Sequence, residues 1–405
     1  MTRPPLREVR EVKKVAIIGA GPAGLTAALA GLRLGVDVTV FERAENFKRV
    51  GGGLVLQSNG HRVLEALGLL EAFWPLARCF KAGTIELVSN GRRLTADYRT
   101  LGIPHAVLSV VMRYQLMEFL EAAARRAGVD VRMGVECTGV VQDGNAVWVE
   151  RATGESLRFD VVLACDGLRS RVRECLGVRA RLRSSGEGAL RGVAPVSVGR
   201  DEVLELWGED GRRFGYAPLP GARTYFYATL PATAAADAAN HIERLRSNAS
   251  HFGRDAVEIV SSVEDWSSVN YDELREVHVE RWHRGSVFIL GDAAHAMTPN
   301  VGQGANAAMV DGLVLMQLIA RALAEKGTLD EVGREFERVR RRFVTKTQAM
   351  AWRWGEMAKW TSPLARSFRA GLFRLMAPRA GMMRSALLTS AGYNPAEEGY
   401  FNGLR

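Results

Sequence analysis

Four cysteines, Cys79, Cys137, Cys165 and Cys175, are all that 405 residues carry, and no two of them form a C-x-x-C pair. This spacing excludes a zinc ribbon and a disulfide framework, so a reducing cytoplasm fits. No C-x-x-x-x-C redox pair, metal-ligating cluster, nucleophilic triad, internal repeat or low-complexity linker occurs. Residues 15–32 lack charge behind a basic N-terminus, but six Ala, four Gly and Pro22 make a poor signal sequence or integral membrane segment. The net charge is +9, yet the arginines are dispersed and no nucleic-acid motif accompanies them. Nucleic acid is therefore not expected as a partner; an anionic cofactor and an anionic substrate suffice. An apolar content of 47% supports a sizeable core and two domains.

What is present begins at the front. Val15 to Arg43, VAIIGAGPAGLTAALAGLRLGVDVTVFER, holds a short apolar strand, G-x-G-x-x-G at Gly19, Gly21 and Gly24, an alanine-rich helix and a second strand ending at Glu42. Gly19 permits a sharp turn, Gly21 leaves room for a pyrophosphate, and Gly24 lets helix and strand pack closely. The helix N-terminus suits phosphate, and Glu42 can accept bonds from ribose hydroxyls. A bound dinucleotide is the expectation.

Two further motifs lie far downstream. Phe159 to Arg173, FDVVLACDGLRSRVR, reads as a strand ending in Asp166-Gly167, then a loop entering a helix at Ser170. Asp166 can bond ribityl or ribose hydroxyls; alternatively Asp-Gly is an ordinary turn and Ser170 an N-cap. Val287 to Asn306, VFILGDAAHAMTPNVGQGAN, delivers Asp292 to a strand end and feeds a Pro/Gly loop into a long apolar helix. Gly302, Gly304 and that helix N-terminus can aim N–H groups at an electron-rich heterocycle. His295 reads as a hydrogen-bonding spacer beneath the loop.

Together these motifs resemble the single-component flavoprotein aromatic hydroxylases, the family of p-hydroxybenzoate, salicylate and urate hydroxylases, over residues 13–320. The resemblance implies FAD. It gives Gly19, Gly21, Ala23, Gly24, Glu42 and Arg43 to the ADP part, Arg113 to an FAD contact, Asp166 to the pyrophosphate and the nicotinamide donor, and Asp292 to the ribityl chain. Pro299, Gly302, Gly304, Ala305 and Asn306 would lie beside the flavin ring, with Pro299 and Gly302 positioning flavin and peroxide through the backbone, and Gln57 or Asn59 approaching the ring. NADH or NADPH would reduce the flavin, dioxygen would form a flavin hydroperoxide, and an aromatic or heteroaromatic small molecule would be hydroxylated. The alternative is an FAD-linked reductase of an isoprenoid or polyene. The W-x-W-x-I-P signature of flavin halogenases is absent. The family contains monomers and homodimers.

Short alternating or aromatic runs over 187–230 suggest an antiparallel sheet walling the substrate pocket. Arg191, Tyr216, Tyr225 and Tyr227 are candidates to orient a phenol or carboxylate, though alternation turns about half of them away. Residues 231–280 suggest one or two helices bracketing a strand. Beyond Lys326 the chain is helical and basic, with Arg338, Arg340, Arg341 and Arg342 close together; Pro363 and Pro378 bound the last helices. These helices read as a cover for the sheet, with a membrane-facing amphipathic surface as second reading. The expected fold class is α/β: a Rossmann-like FAD-binding domain with a glutathione-reductase-like βαβ unit, an inserted antiparallel-sheet substrate domain and C-terminal helices. The expected boundaries are 13–180 for the first FAD-binding part, with small substrate-side elements near 75–112, then 181–280 for the substrate sheet, 281–325 for the FAD return and 326–405 for the helices.

Overall fold

A strand covered on both faces needs apolar residues at successive positions, and Val15, Ala16, Ile17 and Ile18 supply them. In the computed structural model, which describes residues 14–144, 146–198, 201–232, 238–376 and 380–404, they form β1 (Lys14–Ile18) at the middle of a six-stranded sheet. The order is β18 (His283–Arg284), β19 (Val287–Ile289), β12 (Val161–Ala164), β1, β2 (Asp37–Glu42) and β8 (Asp130–Met133). Every neighbouring pair is parallel except the edge pair β18–β19. Helix α1 (Pro22–Arg33) packs on this sheet and is covered by α9 (Gly304–Glu325). A Cβ on Gly312 would stand 2.6 Å from the Ala23 carbonyl oxygen and 2.7 Å from the Ala27 nitrogen. Glycine there lets the two helices touch backbone to backbone. By length and composition α9 is apolar enough to cross a membrane, but 67% of its apolar window is buried inside the protein.

The second large sheet has seven strands: β17 (Asn270–Val279), β13 (Ala180–Ala194), β16 (Arg223–Pro231), β15 (Arg213–Leu219), β14 (Val203–Trp207), β5 (Ala82–Leu87) and β6 (Arg92–Asp97). It is mixed rather than purely antiparallel, because β5 arrives from the N-terminal part and pairs in parallel with β14. Strand alternation divides its side chains. Leu204, Leu206, Phe214, Tyr216, Phe226 and Ala228 face α6 (Ala238–Asn248) and α7 (Arg254–Ser261). Ala217, Leu219, Tyr225 and Tyr227 face inward toward Phe80, Leu108, Val110 and Met112. Both helices precede β17 instead of bracketing it, since together they roof one sheet face before the chain returns.

Smaller units join the two layers: a sheet of β3 (Gly53–Leu56), β7 (Leu108–Met112) and β4 (Arg78–Phe80), another of β11 (Ser156–Phe159), β10 (Ala146–Arg151) and β9 (Cys137–Asp143), and helices α2 (Ser58–Ala66), α3 (Leu70–Phe73), α4 (Arg113–Ala127), α5 (Arg171–Cys175) and α8 (Asp292–His295). The C-terminal region is α10 (Leu329–Ala358), α11 (Pro363–Met376) and α12 (Ala380–Ser390). Thr328 and Glu331 close a reciprocal capping box on α10, an arrangement that stabilises a helix start by about 1 kcal/mol. Pro363 starts α11; Pro378 lies outside the described residues. Trp354, Met357, Phe373 and Leu387 from these helices pack around Trp207 and Ile85, so the region covers the seven-stranded sheet. The arginine cluster does not act as one surface: Arg340 is fully buried.

Candidate active site

Parallel strands bring their carboxyl ends to one edge, and β2, β1, β12 and β19 are consecutive neighbours. Glu42, Gly19, Asp166 and Asp292 therefore gather along that edge, where open α/β sheets bind ligands. Gly19 has φ +104°, and a Cβ there would lie 2.4 Å from the Cys165 carbonyl oxygen. A Cβ on Gly24 would meet the Gly19 oxygen at 2.0 Å, whereas at Gly21 the nearest such atom is 4.0 Å away. The open side of Gly21 faces the start of α1, where first-turn N–H groups, including those of Ala23 and Gly24, have no partner in the helix. That combination fits a pyrophosphate. Glu42 accepts N–H bonds from Ala20 and Ala44, each 2.9 Å, which hold the turn while leaving lone pairs for a ribose. Arg43 follows β2 and is exposed.

Asp166 combines both readings of its motif. Ser170 caps α5 by accepting from the Arg173 N–H at 3.0 Å, and Asp166 Oδ2 accepts from Val172 N–H at 3.1 Å. Its Oδ1 is buried without a hydrogen-bond partner among the described residues. Burial raises the Asp166 carboxyl above its ordinary value, against the pull of Ser170 and Val172. A buried acceptor lacking a donor at this edge fits a hydroxyl-bearing ligand.

At the other end, Gly291 turns the chain out of β19 and presents Asp292. Asp292 is reached by solvent yet ringed by protein; this desolvation raises its carboxyl, opposed by the charges of His295 and Arg113. Arg113 heads α4 and anchors its own N–H on the Gly52 carbonyl at 2.7 Å. Pro299 is exposed and opens a single turn, Gly302 leaves it at φ +66°, and Gly304 and Ala305 start α9. A Cβ on Gly304 would sit 4.0 Å from Asp292 Oδ1, so the helix N-terminus and the carboxylate face one space.

Asn306 does something other than reach the ring with its side chain. Its Oδ1 accepts from Gln57 N–H at 2.9 Å, and its Nδ2 donates to the carbonyls of Val55 at 2.9 Å and Gly302 at 2.7 Å. Both donors are consumed by protein, so the side chain ties the loop to β3. Asn59 is likewise occupied by Gln303, at 2.9 Å. Gln57 donates to Val301 O at 2.9 Å, and its buried Oε1 lacks a partner among the described residues.

Beneath the loop lies a buried charged chain that the sequence reading missed. His295 Nε2 is 2.5 Å from Asp311 Oδ2, the same oxygen that accepts Gly291 N–H at 3.0 Å; Asp311 Oδ1 accepts from Arg340 Nε at 2.7 Å. Arg340 also pairs with Glu397 and donates to the Ala307 carbonyl at 2.9 Å. Burial opposes the charge on Asp311, but His295 and Arg340 outweigh it and hold the carboxyl below its ordinary value. His295 is thus a spacer, as its motif suggested. The available signal was Asp311 itself, one acid inside the apolar run of α9, which demands a partner.

Of the four substrate candidates, the sheet separates one. Tyr216 points to the helix-covered side and donates to Asp255, because even positions of β15 face α7. Tyr225 and Tyr227 face inward with Arg191, which pairs with Asp272 at 2.8 Å. The Tyr225 ring packs on Gly53, where a Cβ would intrude to 2.6 Å, and Tyr227 fills the space left by Gly215. Burial and the Glu205 carboxylate push the Tyr227 hydroxyl well above its ordinary value, with Arg213 opposing. Arg213, also missed, is 2% exposed, donates to Asn300 Oδ1 at 2.5 Å and pairs with Glu187 at 3.1 Å. It joins the sheet to the loop that begins at Pro299.

Comparison with known proteins agrees with this geometry. The model of the FAD binding domain family matches residues 12–349. The chain is 31% identical over 372 residues to an aurachin C monooxygenase/isomerase of Stigmatella aurantiaca, covering 89% of this chain and 94% of that protein. It is 31% identical over 399 residues to a 2-heptyl-3-hydroxy-4(1H)-quinolone synthase of Pseudomonas aeruginosa, covering 95% and 100%. The solved structure of Klebsiella pneumoniae HpxO complexed with FAD and uric acid shares the fold, with a TM-score of 0.80 at 23% identity over 95% of this chain and 97% of that one. These relatives set aside the isoprenoid reductase reading. FAD is the cofactor that the family and the carboxyl-edge geometry agree on, and the chain belongs to the FAD-dependent aromatic hydroxylases, a family of flavoprotein monooxygenases.

Proposed function

We propose that this enzyme hydroxylates an aromatic or heteroaromatic small molecule, using NADH or NADPH and dioxygen, in a reducing cytoplasm. The observation that carries the proposal is the meeting of the Asp292–Gly304 loop with the inward face of the seven-stranded sheet, joined by the Arg213–Asn300 bond. Bound FAD supplies the redox chemistry and oxygen activation that side chains lack. Glu42, the glycine turn and Asp166 hold its ADP part, and Asp292 takes hydroxyls of its ribityl chain. The Gly302 N–H is given to the Pro299 carbonyl at 2.9 Å, so the N–H groups at the start of α9, from Gln303 to Ala305, are the ones that would favour negative charge at the ring without delivering a proton. Pro299 and Gly302 keep that backbone in place, and Asn306 fixes it to β3.

Tyr225 and Tyr227 flank the space on the sheet side. The raised Tyr227 hydroxyl stays protonated and gives its one O–H to Glu205, which leaves its oxygen lone pairs to accept from an N–H or O–H of the substrate. Apolar neighbours such as Val55, Leu387 and Leu388 exclude water. The relative named for a 4(1H)-quinolone supports placing 4-quinolones first among the substrates, beside phenols and aromatic acids.

The test is NADH or NADPH oxidation by the FAD-loaded enzyme against this panel, followed by mass spectrometry of products made under labelled dioxygen. Substrate-stimulated oxidation with one labelled oxygen in the product supports the proposal. Product formed without oxygen, or carrying oxygen from water, overturns it.

A further inference from the structure

Helix α11 wears its apolar stripe on the wrong side. A surface helix ordinarily turns apolar residues inward and polar ones to water. In α11 the inward positions are occupied by Arg369, Ala370 and Phe373, while Leu364, Phe368, Gly371 and Leu375, spaced four, three and four apart, form one outward line. Leu364 is 85% exposed, Phe368 61% and Leu375 44%. The Trp360 ring lies 6.1 Å from that of Phe368 and widens the patch. Scattered exposed apolar residues need no explanation, but three aligned apolar side chains on one helix mark a contact surface.

The charge around the stripe selects its partner. Between Glu356 and Glu397 the sequence has no Asp or Glu, whereas Lys359, Arg366, Arg374, Arg379 and Arg384 fall in that interval beside the inward-facing Arg369, and Arg366 pairs with Glu209 at 2.8 Å. Arg374 is exposed beside the stripe. A second copy docking through the same face would oppose this positive charge with itself. An anionic bilayer surface satisfies both features: its headgroups attract the arginines, and its acyl boundary takes Leu364, Phe368 and Leu375.

We propose that the outward face of α11 docks this protein on anionic lipid bilayers as a peripheral contact. The helix is tied to the protein by Arg369, which donates to the Ala358 carbonyl at 2.8 Å, and by Phe373 in the core, so docking needs no refolding.

The experiment is co-sedimentation of the FAD-loaded full chain with vesicles of phosphatidylglycerol and phosphatidylcholine in equal parts, against phosphatidylcholine alone. The expected result is binding to the anionic vesicles that weakens with salt. Phe368→Glu and Arg374→Glu should each weaken it by about tenfold, from loss of apolar insertion and of headgroup attraction respectively. Val257→Glu, at a 41% exposed apolar position on α7 rather than α11, should bind as the parent does. Flavin absorbance checks that each variant is folded. A parent protein that stays in the supernatant with anionic vesicles overturns the proposal. Equal binding by Phe368→Glu also overturns it, as does a parent dimer that this change converts to monomer without any vesicle binding.

Discussion

Asp292 is a residue whose value depends on where its carboxylate points. Open to the cofactor space and near the N-terminus of α9, it is expected to hold the ribityl chain by charge-assisted bonds, each contributing about 1.5–3 kcal/mol. Asp292→Ala should therefore weaken FAD binding by tenfold or more and lower turnover, as read by flavin fluorescence titration and NAD(P)H oxidation; unchanged affinity and turnover would refute that assignment. His61 makes a different kind of prediction. Burial lowers its pKa from 6.5 to about 4, and its Nε2 sits 2.6 Å from Ser109 Oγ. The unfolded chain takes up the proton first, so the stability this histidine contributes is complete above pH 6.5 and is lost as pH falls toward 4. In His61→Gln the fall in unfolding free energy across that window should shrink by up to about 3 kcal/mol. A parallel pH profile for parent and variant would show that His61 is not the group titrating.

The elements were unevenly legible. The glycine turn, its strands and the Asp292 loop announce themselves because each step needs a special residue at a fixed spacing, and the structure places them at one edge. The partnership of β5 with β14 was hidden, since pairing between segments about 120 residues apart leaves no local trace. Tyr216 could not be told from Tyr225 and Tyr227 by composition, because only strand register decides which side chain faces in. Arg340 was read within a basic run for the same reason: its burial comes from α9 and Glu397, not from its neighbours. The bond between α9 and α10 through Asp311 and Arg340 has a measurable weight. Removing one partner strands a buried charge at a cost of about 3–5 kcal/mol. Asp311→Ala should thus lower the urea midpoint strongly, whereas an Asp311→Leu, Arg340→Met double change should recover part of the loss. If the single variant unfolds with the parent, the pair does not hold these helices.

For the whole molecule, the cofactor is expected to act as a structural bridge. The residues assigned to FAD come from the turn at Gly19, the end of β2, the head of α4, the end of β12 and the loop after β19, so the ligand binds the folded chain and not the unfolded one. Added at a hundredfold its dissociation constant, FAD should stabilise the apoprotein by about 2.7 kcal/mol, seen as a rise in thermal midpoint. No rise would mean that these segments are assembled without it. The same interleaving imposes an order on synthesis. β19 completes the row of parallel strands only after β13 to β17 have been made, so a nascent chain on the ribosome carries an unfinished sheet edge until Asp292 emerges. During that interval the exposed margin of β12 is open to mispairing, and a chaperone that shields it would raise the yield of native enzyme more than extra flavin would.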